Sequence, residues 1–303
     1  MAERSTPTGL ALGIDLGGTR IKAALVDRAD GRLLHQALRP TEDGVWQGET
    51  PRFARHVADL IAELEAVAGV QGLPVGLAAP GLAAPNGRCI TWMPGRMHGL
   101  EDLDWTTRLD RPVRVVNDAQ AALLAEVAFG AARGCRDVFL LTLGTGVGGA
   151  IWSGGRLLTG ATGRGGHLGH ISLDWQAPRD VFHTPGSLES LLGNQSLPTR
   201  SNGRFASTLD LLTAMRAGES TAQILWRESV RALAAGLASL INVLDPERIL
   251  LGGGITEAAG DDLLEPLQEE LDLCEWRPSG RPVPVQQASA GEWAGAQGAA
   301  WQA

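Results

Sequence analysis

The sequence predicts an α/β protein built of two similar subdomains, and three observations carry that prediction. Alternating apolar runs, which suit half-buried strands, interchange with runs at helical spacing, and the earliest strands lie close enough to pair as hairpins. Three strand-like runs end in glycines, within residues 12–19, 138–149 and 248–255, so both halves of the chain carry such turns. Glycine lets backbone approach phosphates and a flat base closely, and three turns of this kind point to two subdomains closing on a nucleotide. At 303 residues the chain is long enough for two sizeable cores.

Residues 1–9 read as a loose tail. Strands are expected near 10–16, 20–27 and 31–38, where Leu12, Ile14 and Leu16 alternate with other residues and Ile21, Ala23 and Leu25 resume the pattern. Residues 40–50 are a polar loop. Apolar positions 53, 57, 60, 61, 64 and 67 describe a helix packed on a sheet. A strand at 73–79 stops at Pro80-Gly81, another at 113–116 runs into Asn117-Asp118, and 119–129 is an alanine-rich helix. Residues 138–143 form a buried strand, 144–149 a glycine loop, and 150–152 a further short strand. Residues 216–244 are mostly helical, 248–251 are strand, and Leu263, Leu264, Leu267 and Leu271 mark a helix. Residues 290–301 return as a terminal helix. The division expected is a small subdomain of residues 1–117 plus about 290–303 and a large one of 118–289.

Composition narrows the partners. A net charge of −8 with no basic block argues against nucleic acid and anionic membranes. The hydrophobic share of 44% belongs to a soluble globular protein. Cys89, Cys135 and Cys274 are far apart with no C-x-x-C pair, which fits a reducing compartment and offers no zinc cluster. No signal core or transmembrane-length run is present, so a cytoplasmic location is expected.

Each candidate site has two readings. In Leu12-Gly13-Ile14-Asp15-Leu16-Gly17-Gly18-Thr19-Arg20, Gly17-Gly18 is either a plain hairpin turn or a backbone cradle for phosphate beside an acid that holds Mg²⁺. Gly144-Thr145-Gly146-Val147-Gly148-Gly149 satisfies a dinucleotide fingerprint, but strand rather than helix follows it, which argues against a Rossmann site. A P-loop is excluded because Lys22, the only lysine, follows no such loop. Asn117-Asp118 either caps a helix or places a general base where ligands meet open α/β sheets. His167 and His170 stand among glycines, as zinc ligands or as hydrogen-bonding groups for a polyhydroxyl ligand. Glu189 begins a helix, where acids are common in any case.

Taken in order, Asp-Leu-Gly-Gly-Thr at 15–19, Pro80-Gly81, Asn117-Asp118, the 144–149 loop, Gly169-His170-Ile171, Leu188-Glu189 and Leu251-Gly252-Gly253-Gly254 resemble the ROK family. That family holds bacterial glucokinases, other hexose and N-acetylhexosamine kinases, and sugar-responsive repressors. The resemblance spans nearly the whole chain. It implies the actin-like ATPase/sugar-kinase fold, with two subdomains around a nucleotide cleft, and a homodimer. The activity implied is transfer from ATP with Mg²⁺ to a sugar hydroxyl, usually at carbon 6. By motif Asp118 is the catalytic base, and Gly81, Asn117, His167, His170 and Glu189 take sugar-binding positions. Asp15, Gly17, Gly18, Thr19, Gly144, Thr145, Gly146, Gly148, Gly253 and Gly254 take nucleotide-binding ones, with Asp15 toward Mg²⁺.

Three departures from the family pattern stand out. Its Cys-x-Cys-Gly-x-x-Gly-Cys zinc segment falls at about 180–187, where this chain reads Asp180-Val181-Phe182-His183-Thr184-Pro185-Gly186-Ser187, so no structural zinc is expected. The family's Glu two residues before Gly169-His170, which binds the sugar's 1- or 2-substituent, is His167. The Pro-Asn of the sugar loop is Pro94-Gly95. The reading is a kinase of a hexose or modified hexose; the alternative is a catalytically weak sugar-binding or regulatory protein. A repressor would need a helix-turn-helix before Asp15, where fourteen residues cannot supply one.

Overall fold

The computed structural model describes residues 9–303, so all but the last residue of the expected N-terminal tail lies outside the described residues. The first alternating runs become β1 (Leu10–Leu16) and β2 (Arg20–Asp27), an antiparallel hairpin in which Leu16 faces Ile21 across the Gly17–Gly18 turn. β3 (Leu33–Pro40) starts two residues later than 31–38, because Gly31 N–H closes a turn on the Asp27 carbonyl at 2.8 Å. The stretch read as polar loop contains a small ribbon, β4 (Trp46–Gln47) and β5 (Thr50–Pro51). α1 (Arg52–Ala68) buries Phe53, Val57, Leu60, Ile61 and Leu64 as its spacing requires. Val67, counted on the same face, is instead 54% exposed in the last turn before Gly69 ends the helix.

β6 (Val75–Ala79) leads through a second ribbon, β7 (Leu82–Ala83) with β8 (Ile90–Trp92), and the short α2 (Trp105–Leu109) to β9 (Val113–Asn117). α3 (Asp118–Ala128) follows without a break. The resulting sheet has the order β3-β2-β1-β6-β9, with β1, β6 and β9 parallel.

The plan then repeats. β10 (Val138–Leu143), β11 (Val147–Ser153) and β12 (Arg156–Leu157) make antiparallel pairs around the 144–146 turn. A helical stretch comprises α4 (Leu188–Leu192), α5 (Leu197–Arg200), α6 (Thr208–Arg216) and the long α7 (Ser220–Leu244). Gly218, at φ 87, lies between the last two; the helix expected over 216–244 starts at Ser220, and α6 lies outside the runs expected to be helical. β13 (Arg248–Gly252), α8 (Gly254–Ala259), α9 (Asp261–Cys274) and β14 (Val285–Gln287) complete a sheet of order β12-β11-β10-β13-β14. Its relation of antiparallel to parallel pairs is that of the first sheet.

By internal contacts the chain divides into two units. The first runs up to Gly134 and takes in Thr159–Gly165 and Ser289–Ala303; the second is Cys135–Leu158 with Gly166–Ala288. The first unit therefore keeps α3, which a division after Asn117 would assign to the second. The cause is α10 (Ala294–Gln302), an alanine- and glycine-rich helix that lies on β1, β6 and α3. Its approach depends on absent side chains: a Cβ on Gly13 or Gly76 would overlap the Ala296 or Ala299 carbonyl, and one on Gly298 the Ala121 carbonyl. Among the described residues no helix is long and apolar enough to cross a membrane.

Candidate functional site

In the first unit the candidate residues gather at the carboxyl ends of the parallel strands, where open α/β sheets present ligand groups. Asp15 sits beside Ala78 of β6, and Ala79 beside Asn117 of β9. Burial and the Asp118 carboxylate push the Asp15 carboxyl up to about 6, with Lys22 pulling the other way. Asp15 rests on the first turn of α10, where a Cβ on Gly295 would stand 2.7 Å from its carboxyl carbon. The Lys22 ammonium is itself held, 3.5 Å from Glu292 and 5.8 Å from the centroid of the Trp293 ring.

Asn117 is a working helix cap. Its Oδ1 accepts from Ala119 N–H at 2.9 Å and Gln120 N–H at 3.3 Å, and Gln120 returns a bond to the Asn117 N–H. Its Nδ2 donates to the Gly81 carbonyl at 3.0 Å, so two of the expected residues are bonded to each other. Gly81 holds φ 99, which an L side chain rarely adopts. Asp118, the first helical residue, is exposed, and one of its carboxylate oxygens accepts from Ala119 N–H at 2.8 Å. That bond orients the carboxylate, and the N-terminus of α3 favours its negative charge.

The Gly17–Thr19 turn has a brace that sequence reasoning missed. Thr41, fully buried, donates its hydroxyl to the Gly17 carbonyl at 2.6 Å and its N–H to the Thr19 carbonyl at 3.0 Å. Above the turn, the Arg96 guanidinium comes within 3.5 Å of where a Gly18 Cβ would lie. Neither residue belongs to a recognisable motif. Thr41 closes a strand and Arg96 follows a Pro-Gly turn, and nothing local ties either to Gly17.

The second unit holds the other candidates. Its glycine loop bends sharply, with Gly144 N–H bonded to the Gly146 carbonyl at 3.0 Å. Glu189, in the first turn of α4, accepts from Val147 N–H at 2.9 Å, so a residue expected at the sugar also touches this loop. Gly253, at φ 89, lies so close to the Leu143 backbone that a Cβ would meet its amide nitrogen at 2.9 Å, while a Cβ on Gly254 would meet open space. His167 leads into, and His170 ends, a 3₁₀ turn at Leu168–His170 that packs against Val147 through Gly169. The buried His170 Nδ1 has no hydrogen-bond partner among the described residues, and its ring stands edge-on to Phe182 at 5.1 Å. A buried polar atom without a partner is costly, and a ligand hydroxyl would relieve it.

Among the described residues, no three His, Cys, Asp or Glu side chains gather as a metal cluster. The donor set nonetheless fits Mg²⁺, which takes one or two carboxylates and completes its shell with water and phosphate oxygens. Two neighbouring acids, one of them buried, are the environment a hard divalent cation relieves.

Residues 11–303 match the ROK family. The chain is 32% identical to a glucokinase of Thermotoga maritima over 280 residues, covering 86% of each chain. It is 31% identical to an N-acetylmannosamine kinase of Shigella boydii over 256 residues, 82% of this chain and 84% of that one. Among solved structures, a ROK family glucokinase from Streptomyces griseus in complex with glucose and AMPPNP superposes with a TM-score of 0.79 at 29% identity, covering 97% of this chain and 99% of that chain. The twin five-stranded sheets are thus those of the actin-like ATPase fold. The chain belongs to the ROK family, as one of its sugar kinases.

Proposed function

We propose that the protein transfers the γ-phosphoryl group of ATP to the 6-hydroxyl of a hexose or 2-substituted hexose, with Asp118 as general base. The observation that carries this reading is the placement of Asp118. It is an exposed carboxylate on the first turn of α3, oriented by Ala119 N–H, and electrostatically coupled to the buried Asp15. A carboxylate so placed accepts the proton of the attacking hydroxyl as the O–P bond forms, which is the positioned-base role in phosphoryl transfer.

In the Gly17–Thr19 turn and the 144–149 loop, the N–H groups of Gly18, Thr145 and Gly146, which among the described residues form none of the turn's own bonds, meet the phosphates, and Gly253 and Gly254 leave room for the nucleoside. Asp15 would hold Mg²⁺, which when bound would offset charge on the phosphate oxygens. Asn117, Gly81, His167, His170 and Glu189 orient the sugar, and the orphan His170 Nδ1 gains a hydroxyl partner. The glucokinase and N-acetylmannosamine kinase relatives support the substrate class, and the AMPPNP complex of the Streptomyces protein supports ATP as donor.

A coupled ADP-release assay over hexoses, amino sugars and N-acetylated sugars tests the reading, with phosphorus NMR locating the new ester. Asp118→Asn should lower kcat by about 10²–10⁴-fold while AMPPNP binding persists, the usual scale for a lost general base. Near-native turnover in Asp118→Asn would remove Asp118 from that role.

A further inference from the structure

The glycine loop of the second unit is gripped by one neighbouring stretch, residues 188–195. Asn194 N–H donates to the Gly144 carbonyl at 3.0 Å and Gln195 N–H to the Thr145 carbonyl at 2.9 Å. Both bonds take up carbonyls. The one loop N–H bound from this stretch is that of Val147, and its acceptor is Oε2 of Glu189 at 2.9 Å. Gly193 N–H bonds the Glu189 carbonyl at 2.7 Å, so the turn that carries the carboxylate leads directly into the turn that grips the loop. The Glu189 carboxylate lies against Gly146 so tightly that a Cβ there would stand 2.9 Å from its carboxyl carbon and closer still to one oxygen.

Two features of this arrangement exceed what a helix-capping acid needs. A charged acceptor on a backbone N–H is stronger than a neutral one, so Glu189 is a main determinant of where residues 145–147 lie. Among the described residues, no protein donor bonds Oε1 of the same carboxylate, which leaves it for a ligand hydroxyl. Resting on the reading that Glu189 touches the sugar, we propose that Glu189 is also a positioning residue for the nucleotide: it holds the glycine loop in its phosphate-accepting shape. One carboxylate then serves both substrates. Sugar bound at Oε1 stiffens the carboxylate and with it the loop, and nucleotide bound to the loop pre-orients the carboxylate for sugar. Linkage makes the coupling reciprocal.

Calorimetric titration with AMPPNP and Mg²⁺ in the absence of sugar tests the loop-holding role. Glu189→Ala should weaken nucleotide binding about 10-fold or more, the scale of a lost charge-assisted hydrogen bond. Glu189→Gln keeps an oxygen that accepts from Val147 N–H and should stay within about threefold of wild type, while its sugar KM rises. The reverse direction uses Gly146→Ala, whose new methyl displaces the carboxylate. Binding of glucose or N-acetylmannosamine, whichever the wild type phosphorylates, should weaken in it without nucleotide present. Rescue by Gln and an unchanged melting temperature separate this effect from misfolding. Wild-type AMPPNP affinity in Glu189→Ala, or equal losses in Ala and Gln, would overturn the proposal. A wild type that phosphorylates no sugar would instead defeat the functional reading, and the Ala–Gln comparison with AMPPNP would still decide the loop-holding role.

Discussion

At the scale of single residues, His167 stands where the resemblance to the family implies a glutamate, and that difference has the clearest chemical consequence. A carboxylate there accepts hydrogen bonds and suits free sugar hydroxyls. Imidazole also donates, and suits an acceptor at carbon 1 or 2 such as an acyl or glycosidic oxygen. His167 leads into the same 3₁₀ turn that ends at His170, so both imidazoles lie on one short, tightly packed segment. Plain glucose is therefore expected to be a poor substrate beside a 2-acylated hexose. His167→Glu should shift the ratio of kcat/KM values toward glucose by about 5–150-fold, the effect of correcting one mismatched buried polar contact. Efficient glucose phosphorylation by the wild type, unimproved by the substitution, would show that His167 only packs. The contrast with Asn117 is instructive. That residue was legible as both cap and ligand, and it is a cap in fact, with its amide also bonded to Gly81. Thr41 and Arg96 were not legible, because their roles arise from contacts across the fold and leave no mark in local spacing.

At the scale of elements, period and glycine placement were enough to read most strands. β1, β2, β6, β9, β10 and β13 stand where alternation or buried runs put them, since each ends at a turn residue that admits few other structures. The differences lie where local pattern underdetermines structure: the ribbon of β4 and β5 in a polar stretch, and α6, a short helix just before the long one expected from residue 216. Segment 179–187, where no structural zinc is expected, is held by bonds among its own residues. Asp180 Oδ1 accepts from Phe182 N–H at 2.8 Å and Thr184 N–H at 2.9 Å, and Arg179 donates to the His183 carbonyl at 2.7 Å. Phe182 meets His170 edge-on, and Leu188 is fully buried below. Bonds of this kind can order a segment that has no metal to fold around. Metal analysis of protein purified without added metal is expected to find no stoichiometric zinc. One tightly held zinc per chain would refute this and implicate His167, His170 and His183.

At the scale of the whole molecule, the two units repeat one sheet plan but differ in how the chain completes them. The second unit closes its core with helices from its own continuous stretch, residues 166–288. The first borrows its last helix from the far end of the sequence. α10 buries Ala296, Ala299 and Ala300 against β1, β6 and α3, and Gly13, Gly76 and Gly298 allow backbone to meet backbone there. Glu126, itself buried, ties this return in place by accepting from Ser289 N–H at 2.7 Å and Ala290 N–H at 2.6 Å. α1 covers the face of β1 and β6 that carries Leu12, Ile14 and Leu77, whereas α10 covers the opposite face at Ala11, Gly13, Gly76 and Ala78, which a chain ending at Ala288 uncovers. The glycines of that face then present no side chain to restore an apolar cover. Hydrogen exchange on this truncated chain should show the amides of β1, β6 and α3 losing protection, while β10, β13 and α7 keep theirs. Phosphoryl transfer should vanish with them, because Asp15 rests on Gly295 and Asp118 opens α3. Undiminished protection of β1 and β6 without α10 would mean that the first unit is held by its α1 face alone, and that the close glycine packing contributes little to its stability.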